Sequence, residues 1–178
     1  AERLPEGGTV CEIGPGYGML TDVLLPRAGT YHAVDYSDRL LFEIMEHRFG
    51  DRLDTLRLHH DKTARLTGVE DGSVDLLFAF DVFVHIPVDL THQYLASAKR
   101  VLKRGGKAVI HFREWDRTNI EEWERSHLPY SVGGHSNMYF NDMNTLGASA
   151  AHLGLRVERI DGIPANWMGY LAEFAHAD

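Results

Sequence analysis

Short apolar runs alternate with helical patterns along most of the chain, and this alternation constrains the fold more than any other feature. A repeated strand and helix order predicts a parallel sheet wrapped by helices. The nearly continuous apolar run at residues 73–83 is typical of a central strand buried on both faces. The predicted strands are residues 9–13, 30–35, 54–60, 73–83, 107–112, 155–163 and 166–176.

Helical patterns fill most of the gaps between these runs. Ser37 is a suitable N-cap for the second helix, and Pro87 and Asp89 open the third. The predicted helices are residues 19–27, 37–49, 89–102 and 141–153, with room for only a short helix between residues 61 and 72. The last two strands lie a few residues apart and are expected to pair as an antiparallel hairpin. The prediction is therefore a doubly wound α/β fold with a mostly parallel seven-stranded sheet and a C-terminal antiparallel hairpin.

Composition limits the possible partners. The 178 residues are enough for one domain, and residues 1–178 are expected to form it. A net charge of -8 without a dense Lys/Arg run argues against nucleic acid, and no apolar stretch or signal-peptide pattern points to a membrane. Cys11 stands alone in an apolar run, so we expect a buried core thiol, no disulfide and a cytoplasmic protein. The first strand begins almost at residue 1 without an initiator Met, so we expect an N-terminal segment to precede it.

A glycine-rich loop follows the first strand. Gly14, Gly16 and Gly18 imply tight turning or close approach of a ligand. A dinucleotide fingerprint needs its third glycine at position 19, which is Met19, and no Gly-Lys-Ser/Thr ending of a P-loop follows. Glu12, two residues before the loop, is poorly placed beside a pyrophosphate. It suits a positively charged group such as an amine.

Acidic residues also end the next two strands. Asp35 lies at the distance along the chain from which an acid reaches ribose hydroxyls, and Tyr36 is next to it to pack on a base. Asp61 closes the third strand, where a carboxylate accepts from an exocyclic amine. An amine, a ribose and an adenine together describe S-adenosylmethionine better than a dinucleotide.

Five segments in this order resemble a known family. They are "CEIGPGYGML", "AVDYSDRLL", "HHDKTARL", "SVDLLFAFDVFVHIP" and "AKRVLKRGGKAVIHF". The sequence resembles class I S-adenosylmethionine-dependent methyltransferases, and more narrowly their small-molecule group. The resemblance covers residues 9–112 well and the remainder by architecture only.

The resemblance implies a cofactor-binding set on these positions. Glu12 fixes the amino group of the cofactor, Asp35 holds the ribose, and Asp61 with the Lys62 backbone addresses the adenine amine. The residues expected along the methionine portion are Gly14, Pro15, Gly16, Gly18, Phe80, Asp81 and Val82. His85 occupies a position where this family often has histidine, which favours a scaffolding role beside the cofactor.

Two histidines are the candidates for catalysis. His111 ends the fifth strand near the expected acceptor and has a side chain suited to a general base, although strand alternation can also bury it. His135 lies in residues 113–140, which lose the strand and helix periodicity. We expect that segment to be a lid that contributes His135 and Tyr139 to the acceptor surface, or else a surface excursion with a short helix. No metal is expected, because adjacent residues such as His59 and His60 point to opposite faces of a strand.

The predicted function is methyl transfer from S-adenosylmethionine to an oxygen, or less readily a nitrogen, of a small-molecule acceptor. The alternative is a non-catalytic S-adenosylmethionine-binding module that acts with a further segment or a partner. An NAD-dependent oxidoreductase is disfavoured by Met19. The acceptor depends on residues 113–140, and the sequence gives neither the acceptor nor the oligomeric state.

Overall fold

The described residues form one seven-stranded sheet with helices on both faces. The computed structural model describes residues 6–113, 121, 139, 141–163 and 169–177. The strands are β1 Thr9–Ile13, β2 Thr30–Asp35, β3 Leu56–His60, β4 Val74–Ala79, β5 Leu102–Phe112, β6 Leu155–Gly162 and β7 Tyr170–His176. The helices are α1 Thr21–Leu24, α2 Glu46–Phe49, α3 Val88–Val101 and α4 Met143–His152.

The strand order is β3-β2-β1-β4-β5-β7-β6. The first five strands pair in parallel, while β7 runs antiparallel to both β5 and β6. The predicted fold class and the antiparallel hairpin are therefore confirmed, with the last strand inserted between β5 and β6. The chain reverses its direction of progress between β1 and β4, and ligands of open α/β sheets bind at the carboxyl ends of the strands at such a switch point.

Several predicted elements differ in their bounds. The strand predicted over residues 73–83 ends at Ala79, and the helix predicted over residues 19–27 is α1 followed by a 3-10 helix over Leu25–Arg27. The predicted helix over residues 37–49 is a π-helix over Leu40–Met45 that continues as α2. The strand predicted from residue 107 begins pairing at Leu102, because α3 runs directly into β5. The register between β4 and β5 shifts after this point, because Val74 pairs with Leu102 and Leu76 pairs with Lys107. The backbones are close here, since a Cβ on Gly106 would lie 2.6 Å from the Val74 carbonyl oxygen.

Each face of the sheet has its own apolar core. One face packs Ile13, Val34 and Leu77 against α3 and α4, and the other packs Val10 and Tyr31 against the α2 region. Residues 61–73, where the sequence leaves room for a short helix, contain no helix, and their buried apolar side chains Ala64, Leu66 and Val69 join the first core.

None of the helices in the described ranges is long and apolar enough to cross a membrane. Within the same ranges, no group of three or more His, Cys, Asp or Glu side chains is arranged to hold a metal ion.

Candidate active site

A cleft of about 370 Å³ opens at the carboxyl ends of β1 and β4. It is lined by Glu12, Gly14, Pro15, Gly16, Tyr17, Met19, Leu20, Phe80 and Asp81. Six of these residues were among those expected around the cofactor, and the fold brings them together at the switch point. Tyr17, Met19 and Leu20 were not expected there, although they continue the same loop.

The three loop glycines have different surroundings, although all have positive φ. A Cβ on Gly14 would lie 2.3 Å from Cγ2 of Val82, and a Cβ on Gly18 would lie 2.5 Å from the ring of Phe49. A Cβ on Gly16 would meet nothing within 4 Å. Gly14 and Gly18 therefore permit packing within the protein, whereas Gly16 presents bare backbone to the open cleft.

The glycine loop is also tied to the helical segment that follows β2. The Arg48 guanidinium donates to the carbonyl of Tyr17 and pairs with the carboxylate of Asp22. The same guanidinium lies 5.3 Å from the centroid of the Phe49 ring, which packs beneath Gly18. Arg48 lies about thirty positions from Tyr17 and Asp22 in the sequence, so no local sequence pattern predicts these contacts.

Glu12 is a buried carboxylate at the cleft, only 3% exposed. The Thr21 hydroxyl donates to Oε2 of Glu12 at 2.5 Å, and the Tyr31 hydroxyl donates to the same oxygen at 2.7 Å. Burial raises the pKa of Glu12; the two hydroxyl donors act in the opposite direction, and the nearby Asp35 charge raises it further. A bound cation relieves the cost of burying this charge, so the position suits an ammonium group.

Asp35 ends β2 beside the glycine loop. Its Oδ1 accepts from the Ser37 amide at 2.8 Å, and the Gly14 amide donates to the Val34 carbonyl at 2.8 Å. Burial raises the pKa of Asp35, while backbone amides including that of Gly16 lower it. A half-buried carboxylate next to the loop is suited to accept from two adjacent hydroxyl groups.

Asp61 follows β3 and carries an unpartnered oxygen. Its Oδ1 accepts from the amide and the hydroxyl of Thr63, each at 2.6 Å, whereas the buried Oδ2 has no hydrogen-bond partner. Burial raises the pKa of Asp61, but the Thr63 donors and the nearby amides of Leu66 and Thr67 outweigh it, so the net pKa is lowered. The Asp61 amide itself donates to the Asp35 carbonyl at 3.0 Å, which keeps the two acids side by side. An ionised carboxylate with one free buried oxygen fits the amine of an adenine.

An aromatic surface adjoins these two acids. Tyr36 is 67% exposed, and Nζ of Lys62 lies 5.4 Å from the centroid of its ring. The Tyr36 carbonyl is 3.0 Å from Nε2 of His60, which holds the backbone in place. The exposed ring is placed to pack on a base. Together with Glu12 and the bare Gly16 backbone, the residues present fit S-adenosylmethionine.

The far wall of the cleft comes from β4 and β5. Phe80 stacks on the His111 ring with centroids 4.6 Å apart, and the Asp81 amide donates to Nδ1 of His111 at 3.1 Å. His111 is fully buried, so its predicted role as general base stays a prediction. His85 is exposed in the turn after Val82, and its amide donates to the Val82 carbonyl at 2.9 Å.

The segment predicted as a lid is described only at a few positions. His135 lies outside the described residues, as does most of the range 113–140. The Asn141 amide donates to the Arg113 carbonyl at 2.7 Å, so residues 113 and 141 lie next to each other after β5. Tyr139 has a 43% exposed side chain, and its amide donates to the Val84 carbonyl at 2.6 Å.

Comparison with known proteins identifies the family. A family model described as "Methyltransferase domain" matches residues 11–110, more than half of the chain. No curated protein sequence matches significantly. The solved structure of magnesium protoporphyrin IX methyltransferase from Synechocystis, with bound SAH, is 15% identical with a TM-score of 0.75, covering 96% of this chain and 75% of that chain.

Two further solved structures share the fold. A SAM-dependent methyltransferase from Aquifex aeolicus is 19% identical with a TM-score of 0.68, covering 98% of this chain and 85% of that chain. The 1,6-didemethyltoxoflavin-N1-methyltransferase of Burkholderia thailandensis is 18% identical with a TM-score of 0.70, covering 97% of this chain and 72% of that chain. At these identities the structures establish the architecture, and the family model establishes the kind of enzyme. The chain therefore belongs to the methyltransferase domain family of class I S-adenosylmethionine-dependent methyltransferases.

Proposed function

We propose that this protein transfers a methyl group from S-adenosylmethionine to an oxygen atom of a small molecule. The observation that carries the proposal is the row of carboxylates at three adjacent strand ends, Glu12, Asp35 and Asp61, ending in the unpartnered Oδ2 of Asp61. Their order matches the amine, the ribose and the adenine of one ligand. A dinucleotide would place its anionic pyrophosphate at the glycine loop, where the Glu12 carboxylate would repel it.

When bound, S-adenosylmethionine supplies an activated methyl group, and as the acceptor bonds to the methyl carbon, the carbon–sulfur bond breaks and its electron pair stays on sulfur. The protein has to align the acceptor with that bond and exclude water. In our proposal Glu12 binds the ammonium group and Gly16 allows close approach of the cofactor. Phe80 and Asp81 form the wall past which the acceptor enters.

An oxygen acceptor is supported by the exposed carboxylate of Asp81 in the cleft wall. A hydroxyl group loses its proton on methylation, and a carboxylate at this place can accept it or pass it to water, whereas a neutral amine needs no base before it attacks. The net charge of -8 and the cleft volume of about 370 Å³ favour a small molecule over a nucleic acid. A nitrogen acceptor is the second candidate, because the similar Burkholderia structure is that of an N1-methyltransferase.

We also propose that residues 113–140 form a lid over the acceptor and bring His135 and Tyr139 to it. The contact between Arg113 and Asn141 supports this, because it places both ends of the segment at the carboxyl edge of β5, on the same side as the glycine loop. We expect Tyr139→Ala to lower the rate of methyl transfer several-fold while the dissociation constant of S-adenosylhomocysteine stays constant. Isothermal calorimetry and turnover assays on the variant check both halves of this expectation.

The experiment that tests the function has two stages. S-adenosylhomocysteine is expected to raise the melting temperature in proportion to its occupancy, and NAD at equal concentration is not. The protein is then incubated with isotopically labelled methyl donor and a metabolite extract, and labelled products are identified by mass spectrometry. An O-methylated small molecule supports the proposal. An N-methylated product shows that the acceptor atom is nitrogen rather than oxygen. Binding without any labelled product supports the non-catalytic module instead.

A further inference from the structure

We propose that His111 is a positioning residue, which fixes the backbone of Asp81 and thereby the wall of the cofactor cleft. The inference rests on the proposed function in one respect, namely that this cleft holds the cofactor. It assigns His111 a role distinct from proton transfer.

The backbone of Asp81 has an unfavourable conformation. Its φ is 58°, in the left-handed region that side chains with a Cβ disfavour, although Asp tolerates it better than most residues. Such a conformation persists only where the surroundings hold it. The Asp81 amide points to Nδ1 of His111 at 3.1 Å, across thirty positions of sequence. This hydrogen bond links the end of β4 to the end of β5 at the point where the chain turns into the cleft.

The imidazole of His111 is itself fixed in place. It is fully buried and stacks on Phe80, which in turn stacks on Phe78 with centroids 6.5 Å apart. At the Nε2 atom, a Cβ on Gly169 would lie only 2.8 Å away, and Gly169 has a φ of 137°. A side chain at that position would displace the ring. The ring therefore presents Nδ1 to Asp81 in one orientation.

This arrangement favours positioning over proton transfer. An imidazole nitrogen that accepts from an amide is the unprotonated one, so neutral His111 carries its proton on Nε2. Nδ1 is then engaged and cannot take a proton from an acceptor molecule. Phe80 and Asp81, which His111 contacts, both line the cleft. Loss of the hydrogen bond is therefore expected to affect cofactor binding first.

Three variants separate these roles. His111→Phe keeps the stacked ring and removes the acceptor, whereas His111→Asn loses the ring and keeps an acceptor near the position of Nδ1. Val109→Ala, two residues earlier on the same face of β5, is the matched control for a general loss of core packing. For each variant the melting temperature, the dissociation constant of S-adenosylhomocysteine, and kcat and KM are measured.

We expect His111→Phe to raise KM for S-adenosylmethionine and the dissociation constant of S-adenosylhomocysteine by about tenfold, the size of one buried hydrogen bond. His111→Asn is expected to keep most of the cofactor affinity that His111→Phe loses. Val109→Ala is expected to lower the melting temperature without changing either constant. Cofactor constants for His111→Phe equal to those of the wild type would overturn the proposal. So would a loss of kcat alone in both His111 variants, which is the behaviour of a base.

One measurement uses the unaltered protein and does not depend on how any variant folds. Nuclear magnetic resonance detects a coupling between two nitrogens across a hydrogen bond. We expect such a coupling between the Asp81 amide nitrogen and Nδ1 of His111, and its absence contradicts the proposal. Failure of the wild type to bind S-adenosylhomocysteine would instead reject the cofactor assignment of the cleft, which keeps the two failures distinct.

Discussion

The hydroxyl of Tyr31 donates a hydrogen bond of 2.7 Å to Oε2 of Glu12 on the neighbouring strand. Tyr31 is the register partner of Val10, two residues before Glu12, so its phenol reaches along the sheet toward the cleft. Thr21 donates to the same oxygen from α1. Two buried hydroxyl groups thus orient a carboxylate whose pKa is raised by burial. Ionisation of this buried acid costs stability, because burial disfavours its charged form.

We expect Glu12→Gln to separate binding from stability. The amide oxygen of Gln can still accept from Thr21 and Tyr31, but the variant has no charge to pair with an ammonium group. The dissociation constant of S-adenosylhomocysteine should rise by roughly 10- to 100-fold, the range for hydrogen bonds to charged groups.

At pH 8 the melting temperature of Glu12→Gln should equal or exceed that of the wild type. An acid whose folded pKa is raised opposes folding once it ionises, and the substitution removes that cost. Calorimetry and thermal unfolding at pH 8 and pH 5 check this, with Tyr31→Phe as the control that removes a donor and leaves the carboxylate. Unchanged affinity in a folded Glu12→Gln protein would show that Glu12 does not meet the cofactor.

The unpartnered Oδ2 of Asp61 allows a test by exchange of hydrogen-bond roles. Asp61→Asn can keep an acceptor for Thr63 while placing an NH₂ donor where Oδ2 stands. We expect its affinity for S-adenosylhomocysteine to fall about tenfold. Its affinity for the inosine analogue, which carries an oxygen in place of the amine, should rise relative to the wild type. Calorimetric titrations with the two ligands measure both affinities. Equal changes in affinity for the two ligands would contradict the assignment of Asp61 to the adenine amine.

The glycine loop offers a matched pair of substitutions. Gly16→Ala and Gly18→Ala both place a Cβ at positive φ, at a cost of roughly 1–2 kcal/mol each. Gly18→Ala adds a contact 2.5 Å from the ring of Phe49, so we expect it to lower the free energy of unfolding further. Gly16→Ala meets nothing in the open cleft, so we expect it to fold and to lose affinity for S-adenosylhomocysteine. Urea unfolding and calorimetry on both variants check this, and a Gly16→Ala protein with unchanged affinity would contradict it.

His32 and His59 make the stability of the protein sensitive to acid. Nδ1 of His32 lies 2.8 Å from Nε2 of His59. Burial, and then the charges of His59 and Arg57, lower the pKa of His32 to about 4. The pKa of His59 is also lowered by burial, against the opposing charge of Asp61. The pair is therefore neutral at pH 7.

The unfolded chain takes up protons on these histidines below about pH 6.5, while the folded protein does not until the pH is much lower. The free energy of unfolding should therefore fall as the pH drops from about 6.5 to about 4. We expect His32→Asn to reduce this fall, and His47→Gln, at an exposed position, to leave it as in the wild type. Urea unfolding at pH 7.5 and pH 5 measures the difference. A slope that is the same in all three proteins would show that the pair titrates normally.

How far the sequence predicts this structure depends on how local each signal is. The bounds of β1 and β2 follow from short apolar runs that end in a glycine loop and an acid, and both were predicted as observed. The insertion of β7 between β5 and β6 carries no local signal, because hydrogen bonding between distant strands selects it. The same holds for Tyr31, which has the pattern of a core residue and yet orients Glu12. The geometry around His111 likewise depends on Asp81 and Gly169, which lie far from it in sequence.

The position of β7 also determines when the sheet can be completed during synthesis. The ribosome releases β5 and β6 before residues 170–176, and until then β5 offers an open edge and β6 has no neighbour to pair with. Unpaired strand edges are templates for pairing with other chains. A nascent chain whose β7 has not yet emerged thus exposes these edges to aggregation. Truncation within β7 opens the sheet in its interior rather than fraying its end.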